Sequence, residues 1–193
     1  MGITLTPGEK GALLAVAREA IVARLEARSP RYGPVTPSLK AACGAFVTLH
    51  AGDALRGCIG HILASDPLIE TVREMAVAAA FHDPRFSPLA LDELSAVSIE
   101  ISVLGPLERI TKIDEIIVGE HGLYVKRGGL SGVLLPQVAP EQGWDVPTFL
   151  AYTCRKAGLR RDAWSEPDTE VFRFSAVVFG EEGPHPPKKN EGN

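Results

Sequence analysis

An α+β fold, with antiparallel or mixed sheets carrying packed helices, is predicted for this chain by three patterns. Helical spacing and period-two strand alternation both occur, and they follow one another without the regular strand-helix-strand repeat of a doubly wound parallel sheet. Short apolar segments in the middle of the chain are separated by glycines, which indicates a β-rich piece with tight turns. The 193 residues are 45% hydrophobic, an ordinary globular value that allows a sizeable core.

Thr6-Pro7-Gly8-Glu9 has the form of a capping box with proline at the first helical position. Leu13, Leu14, Ala17, Ile21 and Leu25 then recur at helical spacing, predicting a helix to about Ala27. The prolines of segment 29–37 block helix and ladder hydrogen bonds alike, so this segment is a loop. Residues 44–50 and 54–59 read as a hairpin turning at Ala51-Gly52-Asp53 and ending at Gly60. Asp66-Pro67 starts a second helix with Leu68, Val72, Met75, Ala76 and Ala79 on one face. Val97, Ile99, Ile101 and Val103 alternate with polar residues in a half-buried strand. Segments 113–118, 122–126 and 133–135 are the short apolar pieces, and Gly128-Gly129-Leu130-Ser131-Gly132 reads as a hairpin turn rather than a phosphate loop. A third helix runs from Val146-Pro147 to Ala157, stopped by Gly158, and a last strand covers 171–179. The tail rich in Pro, Gly, Lys and Asn is expected to be disordered.

The formal charge of −4 provides no global attraction to phosphate backbones, so broad nucleic-acid binding is disfavoured. No basic-then-apolar leader and no apolar run long enough to span a bilayer occur, and Cys43, Cys58 and Cys154 have no close spacing. The expectation is a cytoplasmic chain with reduced thiols and no membrane. No metal-ligand spacing is present, and no metal or cofactor is assigned. Cys58-x-x-His61 would supply two ligands only if Cys43 or Cys154 joined them.

The run Leu55-Arg56-Gly57-Cys58-Ile59-Gly60 sets a guanidinium and a thiol two residues apart between glycines. It resembles the signature of the AMMECR-one domain family. Asp83-Pro84-Arg85-Phe86, His121-Gly122-Leu123, Leu135-Pro136-Gln137-Val138, Gly143-Trp144 and Lys156-Ala157-Gly158-Leu159 extend the resemblance in one order from about Thr6 to Phe179. It implies an α+β protein of two subdomains, whose bacterial and archaeal relatives are often named protein A of the AmmeMemoRadiSam system, beside a Memo-like protein and a radical S-adenosylmethionine protein. The larger subdomain is placed at 1–83 plus 146–180, a β-rich lobe at 84–145 and a flexible tail at 181–193, with a cleft between the lobes near Cys58 and Asp83.

Cys58 is the leading candidate for chemistry, because a thiolate beside a guanidinium is electrostatically stabilised, and positions i and i+2 on a strand share a face. His61 and His82 are candidate bases, although a helix C-terminus suffices to explain His82. Arg56, Gly57, Gly60, Asp83 and Arg85 are the candidate ligand-binding residues, against the plainer alternatives of a packed thiol and a helix-stopping Asp-Pro. Three functions are weighed. The first is a component of a Memo-like and radical S-adenosylmethionine system that binds a small anionic molecule or a partner segment. The second is a stand-alone thiol enzyme with Cys58 as nucleophile. The third is a nucleic-acid or transcription-related regulator, which needs a basic patch drawn from Arg85, Lys126, Arg127, Arg155, Lys156, Arg160 and Arg161.

Overall fold

The computed structural model describes residues 4–63 and 65–181, and it is a mixed α+β structure with antiparallel strand pairing. Beyond Glu181, the predicted tail lies outside the described residues. Among the described residues no helix is long and apolar enough to cross a membrane. Two compact units are present: one spans Leu5–Val103 and resumes at Val178, and the other spans Leu104–Val177.

In the first unit, α1 (Pro7–Leu25) starts on the expected capping box: Thr6 Oγ1 accepts from the Glu9 amide, and the Glu9 carboxylate accepts from the Thr6 amide at 2.8 Å. It ends two residues short of the expected limit, and Ala27 takes a left-handed φ of 52°. α2 (Leu68–Phe81) follows Pro67, and Asp66 accepts from Ser65 Oγ rather than capping the helix. The hairpin consists of β1 (Ala45–Ala51) and β2 (Ala54–His61), and β3 (Val97–Leu104) pairs with the other side of β1. Leu13 and Ile21 of α1, Val72 and Ala76 of α2, Val47 and Leu49 of β1, and Ile101 of β3 are fully buried. Burying each large aliphatic side chain of this kind contributes about 1.5–3 kcal/mol.

The second unit holds β4 (Glu108–Arg109), β5 (His121–Arg127), β6 (Leu130–Leu134), α3 (Val138–Gln142), α4 (Val146–Lys156) and most of β7 (Glu170–Gly180). β5 and β6 form the hairpin expected around Gly128, whose φ is 55°. Segment 113–118 is not a strand: it opens with a 3-10 turn at Ile113–Glu115. Asp145 caps α4 by accepting from the Thr148 amide, and Gly158 follows the helix at φ 76°. Phe149, Leu150 and Cys154 of α4 pack with Leu123 and Val125 of β5 in one buried cluster. Trp144 and Trp164 pack against its edge.

These two packings draw the division differently from the expected 1–83 plus 146–180 and 84–145. Val97, Ile99, Ile101 and Val103 lie opposite Ala51, Leu49, Val47 and Ala45 of β1, so β3 belongs to the N-terminal unit. The apolar face of α4 is satisfied by β5 and β6, so that helix belongs with residues 104–177. The boundary inside β7 falls after Val177, within one uninterrupted strand.

Candidate functional site

The site lies within the first unit, where β2 meets the chain leaving α2. Among the described residues β2 pairs with β1 alone and forms the edge of its sheet. The pairing runs Ala51 with Ala54 and His50 with Leu55, then jumps to Leu49 with Gly57, so Arg56 is an extra, bulged residue. A bulge breaks the two-residue period and re-aims side chains. The shared face expected for Arg56 and Cys58 therefore does not hold as a rule, and the two side chains take different partners. Past the bulge, Cys58 stands opposite Thr48, whose Oγ1 donates to Cys58 Sγ at 3.2 Å. Cys58 is half-buried, as is Cys43, while Cys154 is buried; none of the three is in a disulfide.

Gly57 is required by α2, because a Cβ there would lie 2.2 Å from the Ala79 carbonyl oxygen. Gly60 is required by the Phe46 ring, which a Cβ would meet at 2.3 Å. Gly57 thus seats the hairpin against α2, and Gly60 makes room within the hairpin for the ring of its paired residue on β1.

α2 ends at Phe81 with His82 as its cap, and Asp83 turns inward with a side chain only 1% exposed. Its carboxylate accepts the Cys58 amide at 2.9 Å, the Arg85 amide at 3.1 Å, and Arg85 Nε and Nη2 at 3.0 and 2.7 Å. Arg85 Nη2 also donates to the Cys58 carbonyl at 3.2 Å. Asp83 and Arg85 together occupy the backbone donor and acceptor that an edge strand leaves open at Cys58. The Arg85 side chain is the largest cause holding the Asp83 carboxyl far below its ordinary range, with the Cys58 and Arg85 amides adding to it. Arg85 is raised in turn, by Asp83 first.

Arg56, 13% exposed, forms a two-pronged pair with Glu93 at 2.8 and 3.0 Å, and its Nη2 donates to the Ser87 carbonyl. The Ala90 amide also donates to Glu93, whose carboxyl is lowered to about 2 by Arg56 and then by that amide. The Phe86 ring centroid lies 5.9 Å from Arg56 Cζ and 5.5 Å from Arg85 Cζ, within cation-π reach of both. Two guanidinium nitrogens keep spare donors. Arg56 Nη1 is buried without an acceptor, and the Arg85 side chain is 54% exposed.

Cys58, Asp83 and Arg85 are thus joined by hydrogen bonds, and Arg56 shares the Phe86 ring with Arg85. His61 is exposed at the end of β2. His82 lines instead a groove of about 370 Å³ with Arg24, Tyr32 and Arg73. No group of three or more metal-ligating side chains occurs among the described residues. Of the basic residues needed for a nucleic-acid patch, Arg85 pairs with Asp83, Arg127 with Glu166 and Asp168, and Arg160 with Asp162 and Glu166. Thr48 and Glu93 escaped sequence reasoning: the bulge alone puts Thr48 opposite the thiol, and no local motif ties Glu93 to Arg56.

The AMMECR1 family model matches residues 14–179. A protein of Methanopyrus kandleri is 43% identical over 97% of this chain and 95% of its own length. One from Thermococcus gammatolerans is 47% identical over 80% of each chain. A crystal structure titled as an uncharacterized protein from Pyrococcus horikoshii superposes with a TM-score of 0.84 at 42% identity, covering 89% of this chain and 91% of that one. With the model matched from the first helix to the last strand and relatives of this identity aligned over most of their length, the chain belongs to the AMMECR1 family.

Proposed function

We propose that this chain is the AMMECR1 component of a Memo-like and radical S-adenosylmethionine system, and that it binds a small anionic molecule or an acidic partner segment beside Cys58. The observation that carries the binding role is the Arg85 guanidinium, bonded to the Cys58 carbonyl by Nη2 while its side chain stays 54% exposed, with Arg56 sharing the Phe86 ring beside it. An incoming oxyanion would take charge-assisted bonds from the exposed part of the Arg85 guanidinium. Asp83 fixes Arg85 from behind and the Phe86 ring lies against both guanidiniums, so the donors are held in place before a ligand arrives. The proposed system rests on the resemblance of Leu55–Gly60 and the later sequence blocks to the family's signature.

The test is binding to the cognate Memo-like and radical S-adenosylmethionine proteins and their small-molecule substrate by calorimetry. Arg85→Ala should weaken binding by about 1.5–3 kcal/mol, the range for a lost charge-assisted hydrogen bond. Arg56→Ala should weaken it too, but it also frees Glu93 and so disturbs the 87–93 segment. Unchanged affinity in both variants would return Leu55–Gly60 to a structural hairpin.

A second reading, Cys58 as a nucleophile, draws support from the Thr48 hydroxyl donating to sulfur and from the nearby Arg85 cation. In that case Cys58→Ser abolishes turnover and leaves binding unchanged, because a hydroxyl is nearly isosteric but far less acidic.

A further inference from the structure

The unit of residues 104–177 contains a pocket of about 350 Å³ that shares no residue with the Cys58 site. Its size falls in the range of small-molecule sites, roughly 300–1,000 Å³. Leu150, Val171 and Trp164 give it an apolar and partly aromatic lining. Arg109 and Lys112 also line it, and no carboxylate does. Arg109 forms a long ion pair with Glu170 at 3.5 Å, with both side chains well exposed, and the Lys112 ammonium has no ion pair among the described residues.

Thr169 distinguishes this pocket from an accidental dent. It lines the pocket, is only 8% exposed, and its Oγ1 has no hydrogen-bond partner. The other hydroxyls of the lining are satisfied: Ser165 donates to the Asp162 carbonyl and Thr111 to the Glu115 carboxylate. Native interiors rarely leave a buried hydroxyl unbonded, and an exception calls for an explanation.

We propose that this pocket is a binding site for a small organic anion, a carboxylate or phosphate monoester carrying a flat or aliphatic body. The body packs on Leu150, Val171 and Trp164, the anionic head meets Lys112 and Arg109, and Thr169 Oγ1 bonds a polar atom of the ligand. The unbonded hydroxyl, the unpaired Lys112 ammonium beside a loosely paired Arg109, and the apolar lining each supply one part of that recognition.

Indole-3-acetate and phenyl phosphate serve as probes with the two head groups, and tryptamine as the cationic counterpart, each titrated into the full ¹⁵N-labelled chain and followed by NMR. The expected result is saturable shifts of the Trp164 indole N–H and the Thr169 and Val171 amides with at least one anionic probe, and binding of tryptamine about tenfold weaker or more. Lys112→Glu, at an exposed position, should weaken the anion about tenfold, and Thr169→Val should weaken it while raising the melting temperature of the unliganded chain. The proposal is overturned if neither anion gives saturable shifts at these residues, if tryptamine binds as well as the anions, or if Lys112→Glu binds the anion unchanged.

Discussion

The Asp83 carboxylate holds the backbone of Cys58, accepting its amide proton at 2.9 Å across 25 residues of sequence. The same carboxylate anchors Arg85, so removing it undoes both halves of the clamp. Asp83→Ala should therefore cost about 2–3 kcal/mol, because a buried amide and a fixed guanidinium lose their acceptor together. Urea unfolding of the variant against the parent chain measures this, and an unshifted midpoint would show that the clamp contributes nothing to stability.

Acid should release the same contacts. Asp83 lies below its ordinary value of 3.8 because of Arg85, and Glu93 lies at about 2 because of Arg56. The unfolded chain binds these protons more readily, so the stabilisation is complete above about pH 4 to 5 and is lost as the pH falls through the folded values. Unfolding free energy should drop below about pH 4, and in Asp83→Asn the drop should be shallower. Parallel pH curves for parent and variant would contradict the assignment.

Thiol labelling should follow position in the fold. Burial raises the pKa of both Cys43 and Cys154, and Cys154 is fully buried, whereas the sulfur of Cys58 accepts a hydrogen bond from Thr48. Iodoacetamide should modify Cys58 first, then Cys43, and Cys154 only on unfolding, as read by peptide mass spectrometry. Thr48→Val should slow the first step. Cys154 reacting as fast as Cys58 in the folded chain would reverse the order.

Two glycines should fail for different reasons when replaced by alanine. Gly57→Ala drives a methyl into the Ala79 carbonyl and should cost about 3 kcal/mol, the upper end for overpacking, since backbone cannot step aside. Gly128→Ala meets nothing within 4 Å, but its left-handed φ of 55° should cost about 1–2 kcal/mol. Thermal unfolding of the pair gives the comparison; equal or inverted losses would refute the packing role of Gly57.

Local chemistry made much of the fold legible. The capping box at Thr6, the turn at Gly128 and the stop at Gly158 all depend on residues within a few positions of one another, and each is where sequence spacing puts it. The site was legible in its members and not in its geometry. A hairpin read without a bulge pairs Thr48 with Gly57; the extra residue at Arg56 moves that pairing to Cys58. Glu93 lies 37 residues from Arg56, and only the packed fold brings the two together. α3 was missed because Val138–Gln142 is too short to show a period, although its stop, Gly143, takes a left-handed φ of 66°. The division into units failed for a related reason: the partner of an amphipathic face is chosen by long-range packing, which periodicity does not encode.

The Asp83–Arg85 clamp also bears on how this protein behaves in a crowded solution. A sheet's outermost strand is a template on which a stranger's backbone can zip, and natural proteins blunt such borders with charge, bulges or covering chain. Here all three meet within a few residues: a bulge at Arg56, a covering turn at Asp83-Pro84, and a cation at Arg85 over the Cys58 carbonyl. The hairpin that carries the thiol can stay near the surface without inviting self-association into fibrils or clumps, because its border is stoppered at the residue it most needs to present.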